Sequence, residues 1–130
     1  MDNSEQAVLA AAARLVAAFG SHDTTAYFAA FAPEATFIFH NLDRRLTDRA
    51  AYEAEWQLWE ARDGFHVRAC RSRDQHVQFA GPLAIFTHSV STDLTVGGED
   101  VTTEERETIV FEQKQDGAWL AVHEHLSART

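Results

Sequence analysis

The chain has 130 residues, of which 45% are hydrophobic and 24% charged, the proportions of one ordinary soluble globular domain covering residues 1–130. Asp and Glu number 20 against 11 Lys and Arg, and the resulting net charge of −9 argues against a DNA, RNA or other polyphosphate partner. Cys70 is the single cysteine, which excludes an intramolecular disulfide and a cysteine-rich zinc site and favours a cytoplasmic location. The apolar stretch from Ala7 to Phe19 is broken by Arg14 and falls short of the roughly 20 residues of a membrane span. Acidic rather than basic residues precede it, unlike a signal peptide.

The chain begins helical. Val8, Ala11, Ala12, Leu15 and Phe19 recur at helical spacing between a Ser4 cap and Gly20, which is placed for a left-handed helix end. A short second helix is expected from Asp23 to Phe31, stopped by Pro33. Residues 35–40 (ATFIFH) are aromatic and β-branched and predict a strand. Thr47 or Asp48 then caps a third helix running to about Arg62, with Tyr52, Trp56 and Trp59 on one face and Gly64 as its stop.

The remainder reads as five strands: Phe65 to Ser72, His76 to Ala80, Leu83 to Leu94, Val101 to Glu112 and Ala118 to Leu126. Turn signatures at Arg73-Asp74, Gly81-Pro82, Gly97-Gly98 and Asp116-Gly117 separate them. Helices first and a strand meander after predict an α+β fold, one antiparallel sheet with the helices on one face. Apolar residues of both parities, as in Leu83 to Phe86, leave a second face for a partner, and a homodimer through the sheet is the expectation.

A two-residue Asp116-Gly117 turn sets Gln115 opposite Ala118 and fixes the register of the last hairpin. It pairs Val110 with His123, Thr108 with His125 and Arg106 with Ser127 on one face. Phe111 with Val122 and Glu107 with Leu126 fall on the other. The first face thus gathers Arg, Thr, two His and Ser, and in this register Trp119, Ala121 and Val110 share it. Such a mixture suits a half-dry concave pocket under the helices better than a solvated face.

The runs from Arg106 to Phe111 (RETIVF), from Asp116 to Trp119 (DGAW) and from Val122 to Ser127 (VHEHLS) resemble the C-terminal signature of SnoaL-like domains of the nuclear transport factor 2-like superfamily. More distantly they resemble the association domain of calcium/calmodulin-dependent protein kinase II. Phe37 to His40 and Tyr52 to Trp59 occupy the places of the family's first strand and third helix. The resemblance implies a cone of curved sheet packed against N-terminal helices, a deep pocket between them, and dimerisation through the sheet. It does not imply one function, because ketosteroid isomerases, cyclases, dehydratases, transport factors and oligomerisation modules share the architecture. Catalytic members use a pocket carboxylate as base with a Tyr or a protonated acid beside it. The sequence offers only Asp43, in a turn, and Asp93, near a strand end, as Asp candidates for that role.

His123, His125 and Arg106 are the candidate catalytic residues, the histidines to move a proton and the arginine to hold an oxyanion. His40, Trp56, Trp59, His88, Thr108 and Trp119 are the candidate ligand contacts. Each has a plainer reading: structural hydrogen bonds for the histidines, a salt bridge with Glu104 or Glu112 for Arg106, and core packing for Trp56 and Trp59. His22, His66 and His76 read as surface or edge residues, and Cys70 as a small buried one. A metal would need His40 or His88 to join His123 and His125; no metal and no cofactor is expected. The expected function is to hold a hydrophobic or weakly anionic organic molecule in the cone. An isomerase, cyclase or dehydratase and a plain dimerisation module are the alternatives.

Overall fold

The first helix, α1 (Asn3–Gly20), presents Val8, Ala11, Ala12 and Leu15 to the interior, all but buried. The computed structural model describes residues 3–129. Gly20 is not left-handed. A side chain there would stand 3.1 Å from the Cys70 backbone nitrogen, so glycine permits close approach to the sheet, and His22 takes the positive φ of 54°. The short α2 (Thr24–Ala29) is capped by Asp23, which accepts from the Ala26 N–H.

Strand β1 (Phe31–Phe39) starts earlier than the sequence suggests and contains Pro33. The proline is tolerated because β1 is an edge strand and its pairing is irregular between Phe31 and Thr36. Asp48 caps α3 (Arg49–Asp63) by accepting from the Ala51 N–H, and left-handed Gly64 ends it, both as expected.

The sheet continues through β2 (His66–Ala80), β3 (Leu83–Val96), β4 (Glu99–Gln113) and β5 (Trp119–Ala128), in the spatial order β1-β5-β4-β3-β2. All neighbours are antiparallel except β1 and β5, which run parallel because no hairpin joins them. Arg73-Asp74 is not a turn: β2 runs on through a bulge, with Asp74 at φ 55°.

The last hairpin also departs from a two-residue turn. The Lys114 N–H donates to the Ala118 carbonyl and the Gly117 N–H to the Lys114 carbonyl, which makes the loop three residues with Gly117 left-handed. Phe111 therefore pairs with Ala121, not Val122. A bulge leaves Val122 without a partner, and beyond it Val110 meets His123, Thr108 meets His125 and Arg106 meets Ser127.

The bulge decides which face carries what. The face under the helices holds Ile109, Phe111, Trp119 and Ala121, all buried, and beyond Val122 it holds Glu124 and Leu126. Above it Tyr27, Phe28, Phe31, Phe37, Tyr52 and the fully buried Trp56 form one continuous aromatic core.

Candidate functional site

Under α1 the inner face of the sheet encloses a cavity of about 40 Å³. Leu15, Val16 and Phe19 close it from α1 and Tyr27 from α2, and Glu105, Glu107 and Glu124 line it from the sheet. Three carboxyl groups in a helix-covered interior are costly unless each is bonded or uncharged, and the structure shows how each is satisfied.

Glu107 and Glu124 lie diagonally across β4 and β5, Glu107 opposite Leu126 and Glu124 opposite Ile109, and are hydrogen-bonded side chain to side chain. A carboxylate only accepts, so one of the two must carry a proton. Burial, followed by the charge of Glu107, pushes the Glu124 carboxyl well above its ordinary range. Burial raises Glu107 as well. Glu124 is therefore the neutral acid that donates, and Glu107 holds the charge. The Tyr27 hydroxyl donates to Glu124 Oε1 at 3.4 Å and shares a 2.9 Å hydrogen bond with the Tyr52 hydroxyl. Burial raises both phenols, so both stay protonated.

On the other side of Glu107, His88 Nε2 lies 2.6 Å from its Oε1. Burial holds the His88 imidazole neutral, its pKa lowered to about 4. Its one proton sits on Nε2 facing the carboxylate, and Nδ1 accepts from Ser72 Oγ at 2.5 Å. Ser72 in turn accepts from the Gln75 amide at 2.9 Å. Glu105 accepts from Thr103 Oγ1 and pairs with His40 Nε2 at 2.6 Å.

The expected site residues do not form one cluster. His88 and His40 point to the buried carboxylates as described. Trp56 is core, its indole N–H donating to Glu60. Trp59 is half-buried in a separate cleft of about 450 Å³ with Leu58, Phe65, Leu94 and Val96, flanked by Arg44 and Arg62. Trp119 lies on the inner face at the far end of the sheet, against Phe79.

Arg106, Thr108, His123 and His125 lie on the outer face, away from the helices, which corrects the pocket position expected from the hairpin. Arg106, Thr108 and His125 line an open groove of about 490 Å³ with Ser127, and His123 Nδ1 is bonded to Thr36 Oγ1 at 2.8 Å. The expected pocket relied on Trp119 and Ala121 sharing a face with these histidines, and the Val122 bulge separates them. His22, expected at the surface, is instead a clamp: Nδ1 accepts from the Val67 N–H at 2.9 Å and Nε2 lies 2.7 Å from Glu60. Among the described residues no three of His, Cys, Asp and Glu are placed to hold a metal ion, because His40 and His88 lie on the opposite face from His123 and His125.

Glu107, Glu124, Glu105, Tyr27 and Tyr52 were not singled out from the sequence. The signal is present for Glu105 and Glu107, which alternate in step with the apolar Ile109 and Phe111 on one strand face.

With this geometry in place, the comparisons with known proteins define the class. The SnoaL-like domain model matches residues 8–130, so the chain belongs to the SnoaL-like domain family. Solved structures of similar fold include a ketosteroid isomerase-like protein from Erwinia carotovora atroseptica. It is 15% identical, with a TM-score of 0.83 and coverage of 100% of this chain and 99% of that one. A Catenulispora acidiphila protein in complex with S-DNPA is 14% identical, with a TM-score of 0.79 and coverage of 95% and 92%. The hub homology domain of calcium/calmodulin-dependent protein kinase II from Chlamydomonas reinhardtii is 22% identical, with a TM-score of 0.75 and coverage of 98% and 100%. No curated protein matches the sequence. No helix among the described residues is long and apolar enough to cross a membrane.

Proposed function

We propose that this SnoaL-like domain binds a small uncharged organic molecule, one bearing a carbonyl or similar acceptor, in the inner cavity. The observation that carries the reading is the Glu107–Glu124 pair beside Tyr27. The pair supplies a neutral acid and a phenol as donors in a water-poor, largely apolar enclosure. An anionic ligand suits the cavity poorly, because the charge already there is negative and its lining includes no Arg or Lys. About 40 Å³ holds roughly three waters, so an organic ligand has to displace them and press aside Phe19 and Leu126. The S-DNPA complex of the Catenulispora protein is consistent with ligand binding by this fold.

A second reading, proton-transfer catalysis, is favoured by one observation. Burial and coupling leave two adjacent carboxyls in opposite protonation states, the arrangement that separates an acid from a base. Glu107 would then be the base and Glu124 with Tyr27 the donors to an enolate oxygen. His123, His125 and Arg106 would serve the outer face, where we place a homodimer contact. A cytoplasmic home fits the free thiol of Cys70.

The test is a crystal structure of protein taken directly from its expression host. Small-molecule density within hydrogen-bonding distance of Glu124 or Tyr27 supports the assignment. Density confined to the outer groove at Arg106 and His125 would refute it.

A further inference from the structure

Resting on the reading of Glu107 and Glu124 as a proton-sharing pair, we infer that Ser72 and His88 form a proton inlet: a hydrogen-bonded path that recharges Glu107 from solvent at the β2 edge of the sheet, without using the cavity's own opening.

The path is continuous and every bond has a direction. Gln75 is exposed at the β2 bulge, Ser72 is half-buried, and β2 is an edge strand. From there the links are Gln75 to Ser72 at 2.9 Å, Ser72 to His88 Nδ1 at 2.5 Å, and His88 Nε2 to Glu107 at 2.6 Å. The His88 side chain has no exposed surface, so its ring reaches water only through its partners, Ser72 toward the β2 edge and Glu107, itself 10% exposed, on the other side. It packs against Phe86, ring centroids 4.7 Å apart and the planes tilted by 51°. Glu107 is the end of the line because it accepts from both sides, from His88 N–H and from Glu124 O–H. A structural hydrogen bond would need only one of these partners. Here a hydroxyl, an imidazole and a carboxylate follow one another, and each of the first two can release one proton as it receives another.

The transfer balances. Water gives a proton to Ser72 Oγ as the hydroxyl's own proton passes to His88 Nδ1, and the proton on Nε2 passes to Glu107 Oε1. One proton leaves solvent, one arrives on Glu107, and Ser72 and His88 end neutral. His88 is left as its Nδ1–H tautomer, and the reverse transfer, from Glu107 to Nε2 and from Nδ1 to Ser72, restores the starting arrangement, so the path exchanges protons in both directions. The cavity's acid can in this way be refilled while a ligand fills the space beneath α1.

The experiment follows the infrared carbonyl band of the protonated carboxyl in the full-length protein after rapid transfer to D2O. Glu124→Gln assigns the band by abolishing it. Wild type should exchange within the mixing time. Ser72→Ala and His88→Gln, which both break the path, should keep the band and slow its exchange by roughly 100-fold, the contribution of one positioned proton carrier. Cys70→Ala, beside the cavity but off the path, should exchange like wild type. Melting temperatures of the four variants show which of them retain the fold, so that one folded path variant suffices. A band that exchanges at the wild-type rate in Ser72→Ala or His88→Gln overturns the inlet alone, as does equal slowing in Cys70→Ala. Absence of the band in wild type overturns the proton-sharing pair and the inlet with it.

Discussion

His88 Nε2 lies 2.6 Å from Oε1 of Glu107, in a site where the imidazole is neutral and the carboxylate carries the charge. The pKa of His88 falls from 6.5 to about 4 on folding, chiefly through burial. Below 6.5 the unfolded chain therefore binds a proton that the folded chain refuses until about pH 4, and acidification through that window favours unfolding. Urea denaturation at pH 4.5 and pH 7 should show wild type losing more stability on acidification than His88→Gln. Equal losses would show that His88 does not titrate differently in the two states.

Glu124 works in the opposite direction. Its folded pKa is raised, so the stability it contributes is complete below the unfolded carboxylate value of 4.5 and declines as pH climbs toward the folded value. Glu124→Gln keeps the shape and can still donate to Glu107. The variant should match wild type near pH 5 and exceed it at pH 8, measured by the same denaturation series. A constant difference at both pH values would mean that Glu124 is charged in the folded protein.

Removing one oxygen tests the donor end of the site. Tyr27→Phe keeps the ring among Phe28, Phe31 and Trp56 but leaves Tyr52 and Glu124 each short of a partner. The cost should be about 1–3 kcal/mol, that of a buried polar group losing its partner. A neutral result in chemical denaturation would show that water replaces the phenol.

His22 provides a test of the scaffold away from the acids. His22→Ala leaves the Val67 N–H, on a residue 1% exposed, without an acceptor, and a loss of about 1–3 kcal/mol is expected. His66→Ala, which removes an exposed ring stacked 4.5 Å from His22, should change stability by less than about 0.5 kcal/mol. Thermal melts of the pair check the contrast, and equal losses would contradict the clamp.

The order of helices and strands, the Asp48 and Gly64 caps of α3 and the pairing of Arg106 to Val110 with Ser127 to His123 were all legible in the residues. That pairing holds although the turn assumed for it does not. The real loop takes one residue more, and the Val122 bulge shifts the register back. Alternation along a strand cannot reveal such a bulge, because the insertion exchanges the two faces without changing the composition of either run. Hence a two-residue turn puts Trp119 and Ala121 on the face of the histidines, whereas Glu124 falls opposite Ile109 in either register. Arg73-Asp74 misled for a related reason: a left-handed Asp serves a bulge as well as a turn. Tyr52 reads as one of three aromatics on a helix face, and only the fold brings its hydroxyl to that of Tyr27, and Tyr27 to a carboxyl from the far end of the chain.

The most direct test is the ionisation state of Glu124, followed at its side-chain carboxyl carbon by carbon-13 NMR of glutamate-labelled protein. One glutamate resonance at the neutral-acid position is expected at pH 7, absent in Glu124→Gln. If every glutamate carboxyl titrates in the ordinary carboxylate range, the cavity holds no neutral donor and the binding chemistry proposed for it is wrong.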